Sequence, residues 1–136
     1  MPTSAGYPSA GTCASIQNGM LNAKSQLRRS PPRSSASLQG IDRAMAAALG
    51  RHGFDDTFLR PVFHGVGIEH EEAPIPGGHA VIHGKEKIDR VQPGMVLGIG
   101  NCGIYREEFG VRMEDTVWVS EQGPGSLTTY PKTLTV

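Results

Sequence analysis

The sequence predicts an α+β fold in which one helix precedes a mostly antiparallel sheet, and three observations indicate it. Apolar residues recur every three to four positions between residues 37 and 52, as one face of a helix requires. Short extended runs of bulky apolar residues follow from residue 58 onward. Clusters of glycine and proline separate these runs, and with 18 glycines and 10 prolines the chain has many turns that can join neighbouring strands.

The predicted helix runs from Ser37 to His52. Its apolar face consists of Leu38, Ile41, Met45 and Leu49. Ser37 is a suitable N-cap, because its hydroxyl can accept a hydrogen bond from an amide of the first turn. Asp42 adds negative charge early in the helix, where the helix dipole favours it. Gly53 follows the helix and suits the left-handed position that ends many helices.

The first extended segments follow the helix. Bulky residues from Phe58 to Phe63 predict an extended stretch. Residues 74–84 are rich in proline and glycine and predict a loop, with a short strand at residues 80–82. The Pro93-Gly94 pair then predicts a turn, and the apolar run from Met95 to Ile99 is typical of a buried strand.

The rest of the chain predicts a hairpin. Residues Gly103–Tyr105 and Phe109–Ser120 are its two strands. Because side chains alternate along a strand, Arg112 and Glu114 share the face opposite the apolar one. This pair is either a solvated surface pair or one wall of a site. Residues 122–125 predict a second turn.

Charge is distributed unevenly along the chain. There are 13 basic and 13 acidic residues, yet the first 41 residues contain no aspartate or glutamate. Residues 1–36 are rich in serine, alanine, glycine and proline and show no helical or strand period. Such a composition predicts a disordered or non-native leader, with an organelle transit peptide as the alternative. The folded domain is therefore expected over residues 37–136.

Composition also excludes several classes of partner. A formal net charge of zero argues against a nucleic-acid or membrane partner. No apolar run approaches the roughly 18 residues that a membrane-spanning helix needs. Two distant cysteines, Cys13 and Cys102, predict free thiols in a reducing compartment. A soluble, cytoplasmic protein is expected, which could form a homo-oligomer.

Three motifs together resemble a known family. They are His64-Gly65-Val66-Gly67, residues 93–97 (PGMVL) and residues 110–117 (GVRMEDTV). In this order and spacing they resemble the last part of the catalytic domain of the pita-bread metallohydrolases, which include proline aminopeptidases, proline dipeptidases, methionine aminopeptidases and creatinase. The resemblance extends roughly from Ser37 to Leu134. It implies the C-terminal part of a pita-bread domain, with a helix followed by a curved, mostly antiparallel sheet.

The resemblance also implies a chemistry and a set of site residues. Such enzymes hold two divalent metal ions, such as manganese, cobalt or zinc. Within the family, this chain most resembles the enzymes that hydrolyse Xaa-Pro peptide bonds. The resemblance implies that His64 and Glu114 are metal ligands and that Arg112 orients Glu114. His70 is expected to assist the substrate or leaving group, although simple spacing from His64 places Glu71 at the position of the family's substrate-side histidine.

The chain departs from the family pattern where other ligands are expected. Family members use two aspartates, one histidine and two glutamates, and this sequence offers no counterpart for the aspartates. The first glutamate position falls at Gly100 or Asn101, which are not carboxylates. His79 and His83 lie in a glycine-rich segment that predicts an exposed loop, with little indication of a metal role. Weak metal binding and little or no hydrolysis are therefore expected of this chain alone.

Two alternatives stay open. Beside the peptidase, whose substrate is a peptide or a small amide, the first alternative is a non-catalytic protein: a truncated paralogue, or a gene fragment that folds poorly or acts only by association. The second alternative keeps the fold and changes the reaction to one on a small metabolite.

Overall fold

The structure is a computed structural model that describes residues 36–69, 71–76, 88–100, 103–105, 107 and 110–130. Its described elements are, in chain order, α1 (Leu38–Gly50), β1 (Phe63–Gly65), β2 (Val96–Ile99), β3 (Ile104–Tyr105), β4 (Gly110–Val111), β5 (Asp115–Ser120) and β6 (Gly123–Ser126). A four-stranded antiparallel sheet has the order β1-β2-β5-β6, and β3 and β4 form a two-stranded sheet of their own. The predicted α+β architecture is therefore confirmed.

The start of α1 follows the prediction. Ser37 is the N-cap, and its hydroxyl oxygen accepts a hydrogen bond from the Gly40 amide at 3.0 Å. Asp42 lies in the N-terminal half of the helix, just beyond its first turn. Its carboxylate pairs with the guanidinium of Arg60. That guanidinium also lies 5.4 Å from the centre of the Phe58 ring, so Arg60 ties the segment after the helix to α1.

The C-terminus of α1 is capped by backbone hydrogen bonds. The helix ends at Gly50, two residues earlier than predicted. Gly53 has a φ of 75°, the left-handed conformation expected of it. Its amide donates to the Gly50 carbonyl at 2.9 Å, and the Phe54 amide donates to the Leu49 carbonyl at 3.2 Å. These two bonds form a Schellman motif, which satisfies helix carbonyls that would otherwise lack partners.

The hydrophobic core lies between α1 and one face of the four-stranded sheet. The helix contributes its predicted apolar face, whose members are all buried. The sheet contributes residues that share one face by alternation: Phe63, Leu97, Ile99, Val117 and Val119. Burying each such side chain contributes about 1.5–3 kcal/mol. The opposite face of the sheet does not pack on α1 and is where polar chemistry can be placed.

A tight turn leads into β2. Pro93 and Gly94 are its central residues, and the Met95 amide donates to the Gln92 carbonyl at 3.2 Å. Gly94 has a φ of 93°, which a type II turn requires at its third position. The predicted turn is confirmed, and the strand after it begins at Val96, one residue later than predicted.

The long strand predicted over residues 109–120 is interrupted. β4 ends at Val111 and β5 begins at Asp115, and residues 112–114 belong to neither strand. The cause is that the two strands serve different sheets: β4 pairs with β3, whereas β5 pairs with β2 and β6. The alternating pattern continues through the break, so the sequence does not reveal it.

Strand β6 replaces the second predicted turn. The turn itself is Glu121-Gln122, and Gly123 then pairs with Ser120. Pro124 lies in this strand, opposite Val119. A proline is tolerated because β6 is at the edge of the sheet as described, where one side of the strand needs no amide donor.

Several predictions lie outside the described residues. They concern residues 1–35 of the leader and the short strand at residues 80–82. Candidate site residues outside the description are His70, His79, His83 and Asn101. No helix in the described part of the chain is long and apolar enough to cross a membrane.

Candidate metal centre

His64 lies on the face of the sheet that points away from α1. It is the middle residue of β1 and is directly opposite Gly98 in β2, which is in turn opposite Thr116 in β5. Residues directly opposite each other in antiparallel strands present their side chains to the same face. His64 is only 5% exposed, although it does not belong to the apolar core.

Glu114 reaches the same place from the other side of β2. It precedes the first residue of β5, and its side chain is 31% exposed. One carboxylate oxygen, Oε1, lies 3.2 Å from Nε2 of His64. The two residues meet because β1 and β5 flank β2 in the sheet. The structure thus brings together the two residues that the resemblance predicts to be metal ligands.

A glycine makes room for this pair. A Cβ atom on Gly98 would overlap Oε1 of Glu114 and lie 2.8 Å from Nε2 of His64. Only glycine leaves the space over β2 in which the two side chains approach each other. Gly98 was not among the residues predicted to form the site. A glycine inside an otherwise apolar strand was the available signal, since such glycines mark close approaches.

The hydrogen bond on the other side of the ring sets the chemistry of His64. Nδ1 lies 2.7 Å from the carbonyl oxygen of Gly65. A carbonyl only accepts, so Nδ1 carries a proton and donates it. In neutral imidazole Nε2 then presents a lone pair to the Glu114 carboxylate, and two such acceptors repel each other unless a proton or a cation lies between them.

A divalent cation satisfies that arrangement. Bonds of 2.0–2.1 Å in a tetrahedral site separate two ligand atoms by about 3.3 Å, close to the observed 3.2 Å between Nε2 and Oε1. Histidine ligands commonly donate their second ring nitrogen to a carbonyl, as His64 does to Gly65. His64 and Glu114 therefore fit a metal ion as two of its ligands.

The described residues supply no third ligand. Within them, no group of three or more histidine, cysteine, aspartate or glutamate side chains could hold a metal ion. Gly100, one of the two predicted places for a further glutamate, has a φ of 110°. A Cβ there would overlap the carbonyl oxygen of Met113, so no carboxylate side chain fits at this position. Catalytic zinc usually has about three protein ligands, and the described pair supplies two donors at most.

The loop after His64 is closed by backbone pairing. The Gly65 amide donates to the Glu72 carbonyl at 2.8 Å, and the Glu72 amide donates back at 3.2 Å. Gly65 and Gly67 both lie against the returning chain. A Cβ on Gly65 would overlap the carbonyl of Ala73, and a Cβ on Gly67 would overlap the carboxylate of Glu72. The close approach is therefore made by the returning chain.

Arg112 forms no hydrogen bond or ion pair with His64 or Glu114. It is exposed, and its guanidinium makes no hydrogen bond or ion pair with any residue that the structure describes. The expected common strand face for Arg112 and Glu114 was wrong, because both residues lie in the break between β4 and β5. The orienting role of Arg112 stays a prediction.

A buried polar contact that was not predicted lies next to Glu114. Asp115 is 3% exposed, and its Oδ1 accepts a hydrogen bond from the Thr128 hydroxyl at 2.6 Å. The signal for Asp115 was a carboxylate on the apolar face of a predicted strand. Thr128 gave none, because it lies beyond the hairpin that follows.

Comparison with known proteins identifies relatives of this chain. The model of metallopeptidase family M24 matches residues 16–121. The Xaa-Pro dipeptidase of Pyrococcus furiosus is 33% identical over 95 residues, which are 69% of this chain and 25% of that protein. A relative from Bacillus subtilis (strain 168), which carries a provisional dipeptidase name, is 34% identical over 97 residues, or 71% of this chain and 24% of that protein. The chain thus spans about a quarter of the length of these curated relatives.

Solved structures share the fold. The X-Pro aminopeptidase of Thermotoga maritima MSB8 superimposes with a TM-score of 0.71 at 22% identity, over 94% of this chain and 34% of that one. The Xaa-Pro dipeptidase of Bacillus anthracis gives a TM-score of 0.70 at 23% identity, over 95% and 34%. The pita-bread fold predicted from three short motifs is therefore confirmed. Since the family model matches well over half of its residues, the chain belongs to metallopeptidase family M24.

Proposed function

We propose that this chain contributes His64 and Glu114 to the divalent metal centre of a peptidase that hydrolyses Xaa-Pro peptide bonds. The observation that carries the proposal is the 3.2 Å approach of Nε2 to Oε1 over Gly98. Membership of a metallopeptidase family implies a divalent metal cofactor. The relative named Xaa-Pro dipeptidase supports the class of substrate.

In this proposal each residue has a defined task. The Gly65 carbonyl holds the Nδ1–H of His64, which keeps Nε2 available for the metal. Glu114 supplies negative charge and is the more exposed of the two, so the site is open to solvent on that side. The metal, when bound, polarises the scissile carbonyl and activates a water molecule. Arg112 is proposed to orient Glu114, and His70 to contact the substrate or leaving group.

The proposal includes a limit on what the chain does alone. Two ligands hold a metal ion less firmly than the three or more of a catalytic zinc site. The chain spans only about a quarter of its curated relatives, so peptidase activity belongs to the proposal and not to the family assignment. We expect the chain to bind metal weakly and to hydrolyse an Xaa-Pro dipeptide little or not at all without further ligands.

Calorimetric titration with Mn²⁺ and Co²⁺ tests the ligand assignment. We expect His64→Ala and Glu114→Gln each to weaken binding at least about tenfold, because each removes one of two donors. His52→Ala and Glu121→Gln are matched controls, since both residues are exposed and lie outside the site. Equal loss of affinity in the controls, or no binding by the unmodified chain at millimolar metal, would overturn the assignment.

A non-catalytic protein is the second candidate function. The observation that favours it is the lack of a third ligand among the described residues. The two candidates differ in what Glu114→Gln changes at saturating metal. Metal binding that this variant weakens, with or without turnover of an Xaa-Pro dipeptide, supports the metal centre of a peptidase. The absence of both metal binding and turnover supports the non-catalytic protein.

Location and partners are also proposals. We propose a cytoplasmic protein, as two distant cysteines predict. Its partner would be a peptide or small amide, with no nucleic-acid or membrane partner, in keeping with a net charge of zero. Homo-oligomer formation is proposed as well, and light scattering of the purified chain would measure it.

A further inference from the structure

Asp115 and Glu114 are neighbours in the chain but serve opposite sides of the sheet. Asp115 is the first residue of β5 and pairs with Ile99 in β2, on the face that carries the core. It is 3% exposed. A carboxylate buried to this extent requires hydrogen bonds. The Thr128 hydroxyl supplies one to Oδ1 at 2.6 Å, the short distance typical of a bond to a charged acceptor.

Thr128 also forms a hydrogen bond with the backbone of β5. Its hydroxyl oxygen accepts a hydrogen bond from the Thr116 amide at 3.2 Å. The neighbouring Leu127 amide donates to the Thr116 carbonyl at 2.8 Å. Because β6 ends at Ser126, these bonds continue the pairing of β5 beyond the end of the strand beside it. The Thr128 hydroxyl therefore contacts both the side chain of the first residue of β5 and the backbone amide of the second.

These contacts bear on the position of Glu114. On its N-terminal side, residues 112–114 belong to no strand. On its C-terminal side, the backbone enters the ladder at Asp115. The direction in which Glu114 leaves the sheet is therefore set by how Asp115 and Thr116 are held. A shift of the backbone at Asp115 would carry Oε1 of Glu114 away from His64, whose own position is fixed by β1.

We propose that Asp115 and Thr128 are positioning residues for Glu114. Their hydrogen bond on the core face fixes the start of β5, so that the Glu114 carboxylate meets His64 on the other face. Neither residue contacts the metal in this proposal. The proposal rests on the proposed function, in which His64 and Glu114 hold a divalent ion.

Thr128→Val tests the proposal, because valine keeps the shape of threonine and removes the hydroxyl. Thr129→Val is the matched control, since Thr129 is exposed and adjacent. Thr128→Ser is a second control, because serine retains the hydroxyl that valine lacks. We expect Thr128→Val to weaken Co²⁺ binding in calorimetry about 10- to 100-fold, the range found for partners of metal ligands. Thr128→Ser should recover most of this loss, and Thr129→Val should bind as the unmodified chain does.

A second measurement needs no metal. The Thr116 amide donates to the Thr128 hydroxyl, so its hydrogen exchange in metal-free protein should accelerate in Thr128→Val. Exchange should stay slow in Thr128→Ser and Thr129→Val. Emission of Trp118, the single tryptophan, checks that each variant is folded. Unchanged Thr116 exchange in Thr128→Val would overturn the proposal.

The outcomes separate this proposal from the proposed function. If the unmodified chain binds Co²⁺ and Thr128→Val binds equally well, the positioning role is overturned and the metal assignment stands. If Thr128→Val loses affinity and Thr128→Ser does not recover it, a general loss of structure explains the result, and the positioning role is again overturned. If the unmodified chain binds no metal, the proposed function fails and the role in positioning Glu114 for a metal fails with it.

Discussion

His64 Nε2 lies 3.2 Å from Glu114 Oε1, although 50 positions separate the two residues in the chain. Pairing of β1 and β5 with opposite edges of β2 builds this approach. The same three strands present their other face to α1, where Phe63, Leu97 and Val117 are fully buried. One face of the sheet therefore packs in the core, and the other brings together the two side chains that we propose as metal ligands.

Gly98→Ala should damage both the fold and the site. The added Cβ would overlap Glu114 Oε1 and lie 2.8 Å from His64 Nε2, so the pair must move apart. Crowding of this kind costs about 1–3 kcal/mol. We expect the free energy of unfolding in urea to fall by this amount and Co²⁺ affinity to fall about tenfold or more.

Gly125→Ala is the control for that variant. Gly125 also lies in a strand of the same sheet, but the nearest atom to an added Cβ is Cε3 of Trp118 at 3.8 Å, an ordinary contact. Its stability should change by less than about 0.5 kcal/mol. Similar losses in both variants would show that the space over Gly98 has no special role.

Gly100→Ala should destabilise the protein more than Gly53→Ala. Both glycines have positive φ, at 110° and 75°. At Gly53 nothing lies within 4 Å of an added Cβ, so the cost is that of the left-handed backbone, about 1–2 kcal/mol. At Gly100 the Cβ would also overlap the Met113 carbonyl, which adds about 1–3 kcal/mol. Urea unfolding of both variants measures the difference, and equal losses would contradict it.

The helix could be predicted in detail because its signals are local. A serine before an apolar repeat and a glycine after it act within a few residues, and both residues take the predicted positions. The break at residues 112–114 could not be predicted, because it depends on which sheet each half joins. Strand β6 was interpreted as a turn since Gly123, Pro124 and Gly125 are poor strand formers, and its pairing with β5 overrides that preference.

The candidate site likewise contains residues that could be predicted from local sequence and residues that could not. His64 and Glu114 are ordinary residues individually, and they were identified by the motifs around them. The distance between their side chains depends on the order of the strands in the sheet, which neither motif specifies. Gly98 and Thr128 matter through atoms that lie across the sheet or beyond a hairpin. Such contacts are properties of the folded chain and leave little trace in a single sequence.

Ser37→Ala should lower stability by about 1 kcal/mol, because the Gly40 amide loses the hydroxyl that accepts its hydrogen bond at 3.0 Å. Ser37→Asp keeps an acceptor at the N-cap and should be close to the unmodified chain. Helix α1 covers the core face of the sheet, so metal affinity should stay within about threefold of the unmodified value. Thermal unfolding and Co²⁺ titration measure the two effects, and a large loss of affinity in Ser37→Ala would contradict the separation of the two faces.

Metal binding should raise the free energy of unfolding, and the gain should depend on His64. If the dissociation constant is about 0.1 mM, a concentration of about 1 mM Mn²⁺ raises the free energy of unfolding by about 1.4 kcal/mol, because only the folded state holds the two donors together. Trp118 lies in β5 and is 47% exposed, so its emission follows unfolding in urea. The gain should disappear when a chelator removes the metal, and it should be absent in His64→Ala. His52→Ala, in which an exposed histidine outside the sheet is removed, should keep the full gain. A gain that persists in His64→Ala would place the metal elsewhere on the chain.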